Sequence, residues 1–81
     1  MKATLIIEKR GEGYVLDLFS DRSTKRGERC GLDETAAAIS ASRQLAQLTY
    51  CGASVVAPRE VLELIPEHLR NFDANIDNAK S

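Results

Sequence analysis

The chain has 81 residues, of which 43% are hydrophobic and 28% are charged, and its 11 basic residues nearly balance its 12 acidic ones. This composition is typical of one folded domain, and it excludes a disordered chain and a protein drawn to nucleic acid by its net charge. The first apolar run ends at Glu8, and no run is long enough for a signal-peptide core or a membrane span, so we expect a cytoplasmic protein without membrane contact.

Two short runs at the amino end alternate apolar and polar residues. In ATLIIEK, Leu5 and Ile7 share one face, and in YVLDLF the residues Tyr14, Leu16 and Leu18 share one face. The connection RGEG supplies the glycines that a tight turn needs. The pattern predicts a β-hairpin.

The stretch SDRSTKRGER, residues 20–29, contains no apolar residue and is locally basic through Arg22, Lys25, Arg26 and Arg29. It could dock on phosphates or on an acidic protein surface. The favoured interpretation is a solvated, flexible hairpin arm or connection, because no aromatic residue is present to stack on bases.

The next segment, LDETAAAISASRQLAQLTYCG, has the period of a helix. We predict a helix from about residue 34 to residue 50, with Asp33 as its amino-terminal cap and Gly52 as its stop. An apolar stripe should face the core, and polar residues should face outward. The stripe contains Ala37, Ala41, Leu45 and Leu48, with Ala38 and Ile39 near its edge, and the outer face contains Arg43, Gln44 and Gln47.

A short buried strand is predicted at residues 53–57, where Val55 and Val56 are β-branched and Pro58 ends the run. Residues 58–65 then form either a second helix beginning at Pro58 or a fourth strand. The helix is favoured because the apolar spacing continues across Pro66, where a kink can begin a second helical piece.

These elements predict an α+β fold with the order β-β-α-β-α in two layers. A three-stranded antiparallel-type sheet would pack on one main helix, with a short carboxy-terminal helix beside it. We place a single compact domain at residues 1–72 and a polar, fraying tail at residues 73–81.

The two cysteines, Cys30 and Cys51, flank the predicted helix. A helix of about 17 residues is roughly 25 Å long, whereas a disulfide needs Cα atoms within about 7 Å. We therefore predict two separate, partly buried thiols.

Residue types that carry catalytic or metal chemistry are sparse. One histidine and two distant cysteines cannot supply zinc ligands at the usual spacing, and there is no glycine-rich phosphate loop and no G-x-S-x-G motif. On a continuous helix Glu60, Glu63 and Glu67 would share a face, with His68 beside them, as a carboxylate metal site or as a solvated acidic surface. The solvated surface is favoured, so the sequence predicts no catalytic residues, no metal site and no cofactor, and a binding module in place of an enzyme.

A family resemblance lies within residues 33–70. The Ala-rich ETAAAISASRQLAQL, followed by GASVVAP and VLELIPEHLR, resembles a small phage-encoded anti-CRISPR family that inhibits type I-F surveillance complexes. Two segments carry its specific part, the Ala run of the helix and VLxxIPExLR, which is formed by Val61, Leu62, Ile65, Pro66, Glu67, Leu69 and Arg70.

This resemblance implies a non-catalytic inhibitor made inside an infected bacterium. It would bind the protein subunits of a type I CRISPR-Cas surveillance ribonucleoprotein and block either DNA binding or nuclease recruitment. We expect charged side chains of both signs to contact the partner, as a monomer or a weak dimer. The predicted partner-binding residues are Arg22, Lys25, Arg26, Arg29, Glu63, Glu67 and Arg70.

The alternative function is a small module of a phage or mobile element that binds nucleic acid directly or associates with itself. In the first case the basic stretch would contact phosphates with a steep salt dependence. In the second, an exposed sheet edge would pair with its twin.

Overall fold

Five strands and one long helix make up most of the chain in a computed structural model that describes residues 2–21, 24–48, 52–69 and 73–76. In chain order these elements are β1 (Lys2–Arg10), β2 (Gly13–Phe19), β3 (Thr24–Gly31), α1 (Glu34–Gln47), β4 (Gly52–Ala57), the one-turn helix α2 (Arg59–Leu62), a 3₁₀ turn (Glu67–Leu69) and β5 (Asp73–Ile76).

The strands form one mixed sheet in the order β3-β2-β1-β4-β5. The meander β1-β2-β3 is antiparallel, whereas β4 runs parallel to β1, and β5 runs parallel to β4. The predicted α+β class is confirmed, but the prediction of a three-stranded antiparallel-type sheet is wrong. The crossover through α1 returns the chain to the free edge of β1, and that connection gives a parallel pair.

The hairpin is confirmed, with Leu5 opposite Leu18 and Ile7 opposite Leu16. Arg10 pairs with Gly13, so a two-residue turn joins the strands. Gly11 opens this turn with a φ of 60°, as a type II′ turn requires.

Of the two predicted alternatives for the basic stretch, the structure has the hairpin arm and not the connection, because β3 is an edge strand antiparallel to β2. From Thr24 onward it pairs with β2, and two register irregularities interrupt the ladder. At Gly27, where φ is 65°, the backbone N–H donates a 2.6 Å hydrogen bond to Asp17 Oδ1. An edge strand can form with polar residues throughout because its stability comes from backbone pairing with β2, and this is why apolar alternation gave no signal.

Helix α1 begins where the sequence predicts, since the Asp33 carboxylate accepts a 2.8 Å hydrogen bond from the Ala36 N–H. It ends earlier than predicted, at Gln47, with Leu48 as its cap, and residues 49–51 lie outside the described part. Gly52 is the first residue of β4 and not the helix stop.

The predicted apolar stripe of α1 is buried, but one predicted outer residue is buried with it. Gln44 is only 7% exposed. It lies three residues after Ala41 and seven after Ala37, which places it on the same side of the helix. Ile39 is half exposed and does not belong to the core.

The favoured helical interpretation of residues 58–65 is confirmed for a single turn. The N–H groups of Val61 and Leu62 donate to the Pro58 carbonyl at 3.0 and 3.1 Å. The chain leaves the helix before Pro66, and a separate 3₁₀ turn follows, in which the Leu69 N–H donates to the Pro66 carbonyl at 2.9 Å.

Residues 73–76, predicted to begin a fraying tail, form β5 and extend the sheet past the predicted boundary at residue 72. The segment DANI lacks β-branched alternation, and its strand conformation follows from the free edge that β4 offers. Residues 77–81 lie outside the described part.

The core lies between one face of the sheet and the helices. It contains Leu5, Ile7 and Leu16 from the sheet, all fully buried, together with Val61 and Ile65 from the segment after β4. Cys30 packs partly buried against this core as a free thiol, as predicted, whereas Cys51 lies outside the described part.

Candidate interaction surfaces

The predicted basic residues do not form one patch. Lys25 lies opposite Leu18, on the core side of the sheet, and pairs with Glu28 at 3.9 Å. Arg29 lies opposite Val15, on the other side. Arg26 is exposed, and Arg22 lies outside the described residues. The irregular register of β3 therefore divides these cations between the two faces.

The predicted acidic residues lie on the segment that joins β4 to β5. Glu63 caps α2, Glu67 begins the 3₁₀ turn, and both are exposed, whereas Arg70 lies outside the described residues. Val61, two residues before Glu63, and Ile65, between the two carboxylates, are buried, so the segment anchors these apolar residues in the core and presents its carboxylates outward.

A groove of about 410 Å³ runs along the outer side of α1, and we call it the helix groove. One wall comes from successive turns of α1 and the other from the chain around Pro66. The lining residues are Thr35, Ala38, Ile39, Ser42, Arg43, Ala46, Leu64 and Pro66.

The helix groove presents mainly apolar atoms. Ile39 is 50% exposed and Leu64 is 47% exposed, so two large aliphatic side chains line the same groove and are both open to water. The Ser42 hydroxyl donates a 2.7 Å hydrogen bond to the Ala38 carbonyl, so its polar atom is already engaged within the helix. Arg43 supplies a cation on the wall formed by α1, and Glu67 directly follows Pro66, which belongs to the opposite wall.

The sequence interpretation missed this groove, although a signal was present. Ile39 lies at the edge of the core stripe, and Leu64 lies outside the helical spacing of Val61, Leu62 and Ile65. Each is a large apolar residue on a side that should face water, and together they mark the two walls.

The second surface is the side of the sheet away from α1, which we call the open face. Its side chains are partly or fully exposed, and within the described part of the chain the helices pack on the opposite side. The residues are Thr4, Ile6, Glu8, Val15, Asp17, Phe19, Arg29, Ser54 and Val56.

A polar contact joins β2 to α2 near the carboxyl ends of β1 and β4. The hydroxyl of the buried Tyr14 donates a partly buried 3.3 Å hydrogen bond to Glu60 Oε2. Burial and the negative charge of Glu60 raise the pKa of Tyr14, and this hydrogen bond, Glu34 and Asp33 act in the same direction. A tyrosine with a raised pKa stays protonated at neutral pH, so the contact links the hairpin to α2 as a structural hydrogen bond.

Across residues 2–21, 24–48, 52–69 and 73–76, no cluster of three or more His, Cys, Asp or Glu side chains could hold a metal ion. In the same ranges, no helix is both long and apolar enough to span a membrane.

Comparison with models of known protein families, with curated proteins and with solved structures gave no match for the chain.

Proposed function

We propose that this chain is a non-catalytic inhibitor that binds a type I CRISPR-Cas surveillance complex in the bacterial cytoplasm and blocks DNA binding or nuclease recruitment. The observation that supports the proposal is the composition of the helix groove. Its walls come from the two segments that carry the family resemblance, the Ala-rich helix and VLELIPEHLR. Two sequence features that are separate along the chain thus form one surface.

The helix groove has the chemistry of a protein-binding surface. Ile39 and Leu64 offer exposed aliphatic area. A partner that covers these side chains removes apolar surface from water, and this burial stabilises the complex. Arg43 and Glu67 supply charges of both signs near this apolar centre. An apolar centre with a polar rim is the usual anatomy of a protein interface.

The geometry favours contact through a protein subunit over contact through nucleic acid. Lys25 and Arg29 lie on opposite faces of the sheet, and Lys25 is paired with Glu28. Phosphate binding needs several cations that point to one side. The predicted cations are therefore better suited to peripheral contacts with a protein than to a phosphate site. Glu67 lies nearer the groove than they do in the sequence, since it follows Pro66, which lines it.

Purified type I-F surveillance complex, loaded with its guide RNA, provides the test. We expect the protein to comigrate with the complex in size exclusion at a fixed ratio and to inhibit binding or cleavage of labelled target DNA. Comigration with and without target DNA identifies the blocked step. Absence of comigration, together with full cleavage in excess protein, would reject the proposal.

Variants of the helix groove test the surface itself. Ile39→Arg and Leu64→Arg place a cation in the apolar centre, and each should weaken inhibition at least about tenfold, as a change at a central contact does. Leu32→Arg is the matched control because Leu32 is 66% exposed and does not line the groove. If Leu32→Arg weakened inhibition as much as Ile39→Arg, the groove would not be the contact. Binding of free oligonucleotide with a steep salt dependence would favour the nucleic-acid alternative.

A further inference from the structure

The helix groove offers a partner few free backbone groups. The lining residues between positions 38 and 43 lie inside α1, where N–H and carbonyl groups bond to each other along the helix. On the opposite wall, the Leu64 N–H donates to the Val61 carbonyl at 3.1 Å. Pro66 has no N–H, and its carbonyl accepts from the Leu69 N–H at 2.9 Å. The backbone of both walls is therefore largely satisfied within the chain.

This satisfied backbone decides which conformation of a partner can fill the groove. An extended segment carries unpaired N–H and carbonyl groups, and it binds a protein by pairing them with an exposed strand edge. In the helix groove these groups would be buried without partners, and each one would lower the affinity. An α-helix pairs its own N–H and carbonyl groups and presents only side chains. The groove therefore favours a helix over an extended segment.

The shape of the α1 wall also accommodates a helix. The lining from Thr35 to Ala46 follows α1 for about three turns, or roughly 16 Å. Ala38, Ser42 and Ala46 recur every four residues, so their small side chains form one ridge of α1. Packed helices lie about 8–10 Å apart, depending on the side chains between them. Short side chains on this ridge allow a second helix to approach at the lower end of that range.

Arg43 defines the charge that a partner should carry. Among the described residues that line the groove, it alone is charged, and no carboxylate in residues 2–21, 24–48, 52–69 and 73–76 forms an ion pair with it. It follows Ile39 by four residues, so the two lie side by side on α1. A partner that covers Ile39 brings its own side chains near the guanidinium. A carboxylate there can form charge-assisted hydrogen bonds, whereas a cation would be repelled.

We propose that the helix groove binds one amphipathic α-helix of the partner protein. The apolar stripe of that helix covers Ile39 and Leu64, and an acidic residue beside the stripe pairs with Arg43. This inference rests on the proposed function, because it takes the same groove as the contact surface and names the element that fills it. A small apolar molecule fits less well, since sites for such ligands bury most of the ligand, whereas both groove walls stay half open to water.

Selection from two phage-displayed libraries tests the proposal. The first displays a stable helical scaffold with one face randomised. The second displays linear peptides with equally many randomised positions around a central proline, which prevents a continuous helix. Immobilised wild-type protein should enrich helices with apolar residues at three- and four-residue spacing and with Asp or Glu beside them. No enrichment from the helical library, or equal enrichment from the proline library, would overturn the proposal.

A synthetic peptide of the enriched sequence tests the apolar contact by fluorescence anisotropy. Ile39→Arg should raise its Kd about tenfold or more, because it places a cation under the apolar stripe. Leu32→Arg is the control and should leave the Kd unchanged, since Leu32 does not line the groove. A Kd that does not respond to Ile39→Arg would overturn the proposal. Circular dichroism of each variant shows that the fold is intact before binding is compared.

The same assay tests the ion pair with Arg43. Arg43→Glu should raise the Kd about fivefold, and replacing the acidic residue of the peptide with lysine should recover much of this loss. Arg26→Glu is the matched control, because Arg26 is an exposed cation of β3 that does not line the groove. If the lysine peptide recovered no affinity, or if Arg26→Glu had the same effect as Arg43→Glu, the assignment of an acidic partner residue would be overturned.

Competition separates this inference from the proposed function. The selected peptide should displace the protein from the type I-F surveillance complex in size exclusion. If the protein comigrates with the complex and an excess of peptide does not displace it, this inference fails while the proposed function stands. If the protein does not comigrate but the peptide binds with the responses given above, the groove is a helix-binding site and the proposed function fails.

Discussion

The Tyr14 hydroxyl donates a hydrogen bond to the Glu60 carboxylate at 3.3 Å, and so links the first residues of β2 to a one-turn helix that follows β4. Tyr14 is buried, and the bond spans 46 positions in the chain. A helix as short as α2 has little intrinsic stability, so long-range contacts of this kind hold it in place.

Removing the Tyr14 hydroxyl should lower the free energy of unfolding. We expect Tyr14→Phe to cost about 1 kcal/mol, because the ring keeps its packing while a partly buried hydrogen bond is lost. Urea denaturation at neutral pH measures the change. Glu60→Gln is the companion variant and should cost less, because its amide oxygen can still accept from the phenol. A Tyr14→Phe variant as stable as the wild type would show that the bond adds nothing to stability.

Gly31 ends β3 in a conformation that other residues rarely adopt. Its φ is 126°, and a Cβ at this position would clash with the Cβ of Ala36. We expect Gly31→Ala to cost about 2–4 kcal/mol, from backbone strain together with steric overlap against α1. Thermal or urea unfolding would detect so large a loss.

Gly27→Ala is the matched control for Gly31→Ala. Gly27 also has a positive φ, of 65°, but a Cβ there would meet open space. Gly27→Ala should therefore lower the free energy of unfolding by only about 1–2 kcal/mol, which is the cost of a positive φ without a steric clash. Equal losses at the two glycines would mean that contact with Ala36 does not contribute.

The elements that the sequence predicted well have their determinants within a few residues of each other. Alternation at Leu5 and Ile7 identified the hairpin, and Asp33 identified the start of α1, because both signals act over a single turn or strand. β3 and β5 were missed because their strand conformation depends on backbone pairing with the edges of β2 and β4, and a polar edge strand carries no apolar alternation. The helix groove was missed because its two walls, which carry Ile39 and Leu64, come together only in the folded chain, although each residue is a large apolar one outside the core stripe.

The amino-terminal cap of α1 offers a prediction about a single hydrogen bond. Asp33→Ala removes the acceptor of the Ala36 N–H and should lower the free energy of unfolding by about 1 kcal/mol. Asp33→Ser should recover much of that stability, because a hydroxyl can accept the same bond without the charge. Urea denaturation of the three proteins measures both differences. If Asp33→Ser were as unstable as Asp33→Ala, the helix dipole and not the cap would explain the effect.

The thiol of Cys30 should make stability decline at alkaline pH. Burial raises the pKa of Cys30 and the Glu28 carboxylate adds to this, while a hydrogen bond with Ser40 opposes it. The unfolded thiol, with a pKa of about 8.5, loses its proton before the folded thiol does. The unfolded state then binds fewer protons, so the free energy of unfolding falls as pH rises above that value, and below it the thiol has no effect.

Urea denaturation of the wild type and Cys30→Ala, in reducing buffer from neutral to alkaline pH, measures this contribution. Cys30→Ala should be less stable at neutral pH, because Cys30 packs partly buried against the core, but its decline above about pH 8.5 should be shallower. Ionisation of Tyr14 is a second contribution to the alkaline decline, and Tyr14→Phe removes it. Because the pKa of Tyr14 is raised, its contribution should begin only above about pH 10. Parallel declines in the wild type and Cys30→Ala would show that the folded thiol titrates as freely as the unfolded one, and that burial of Cys30 does not affect its proton.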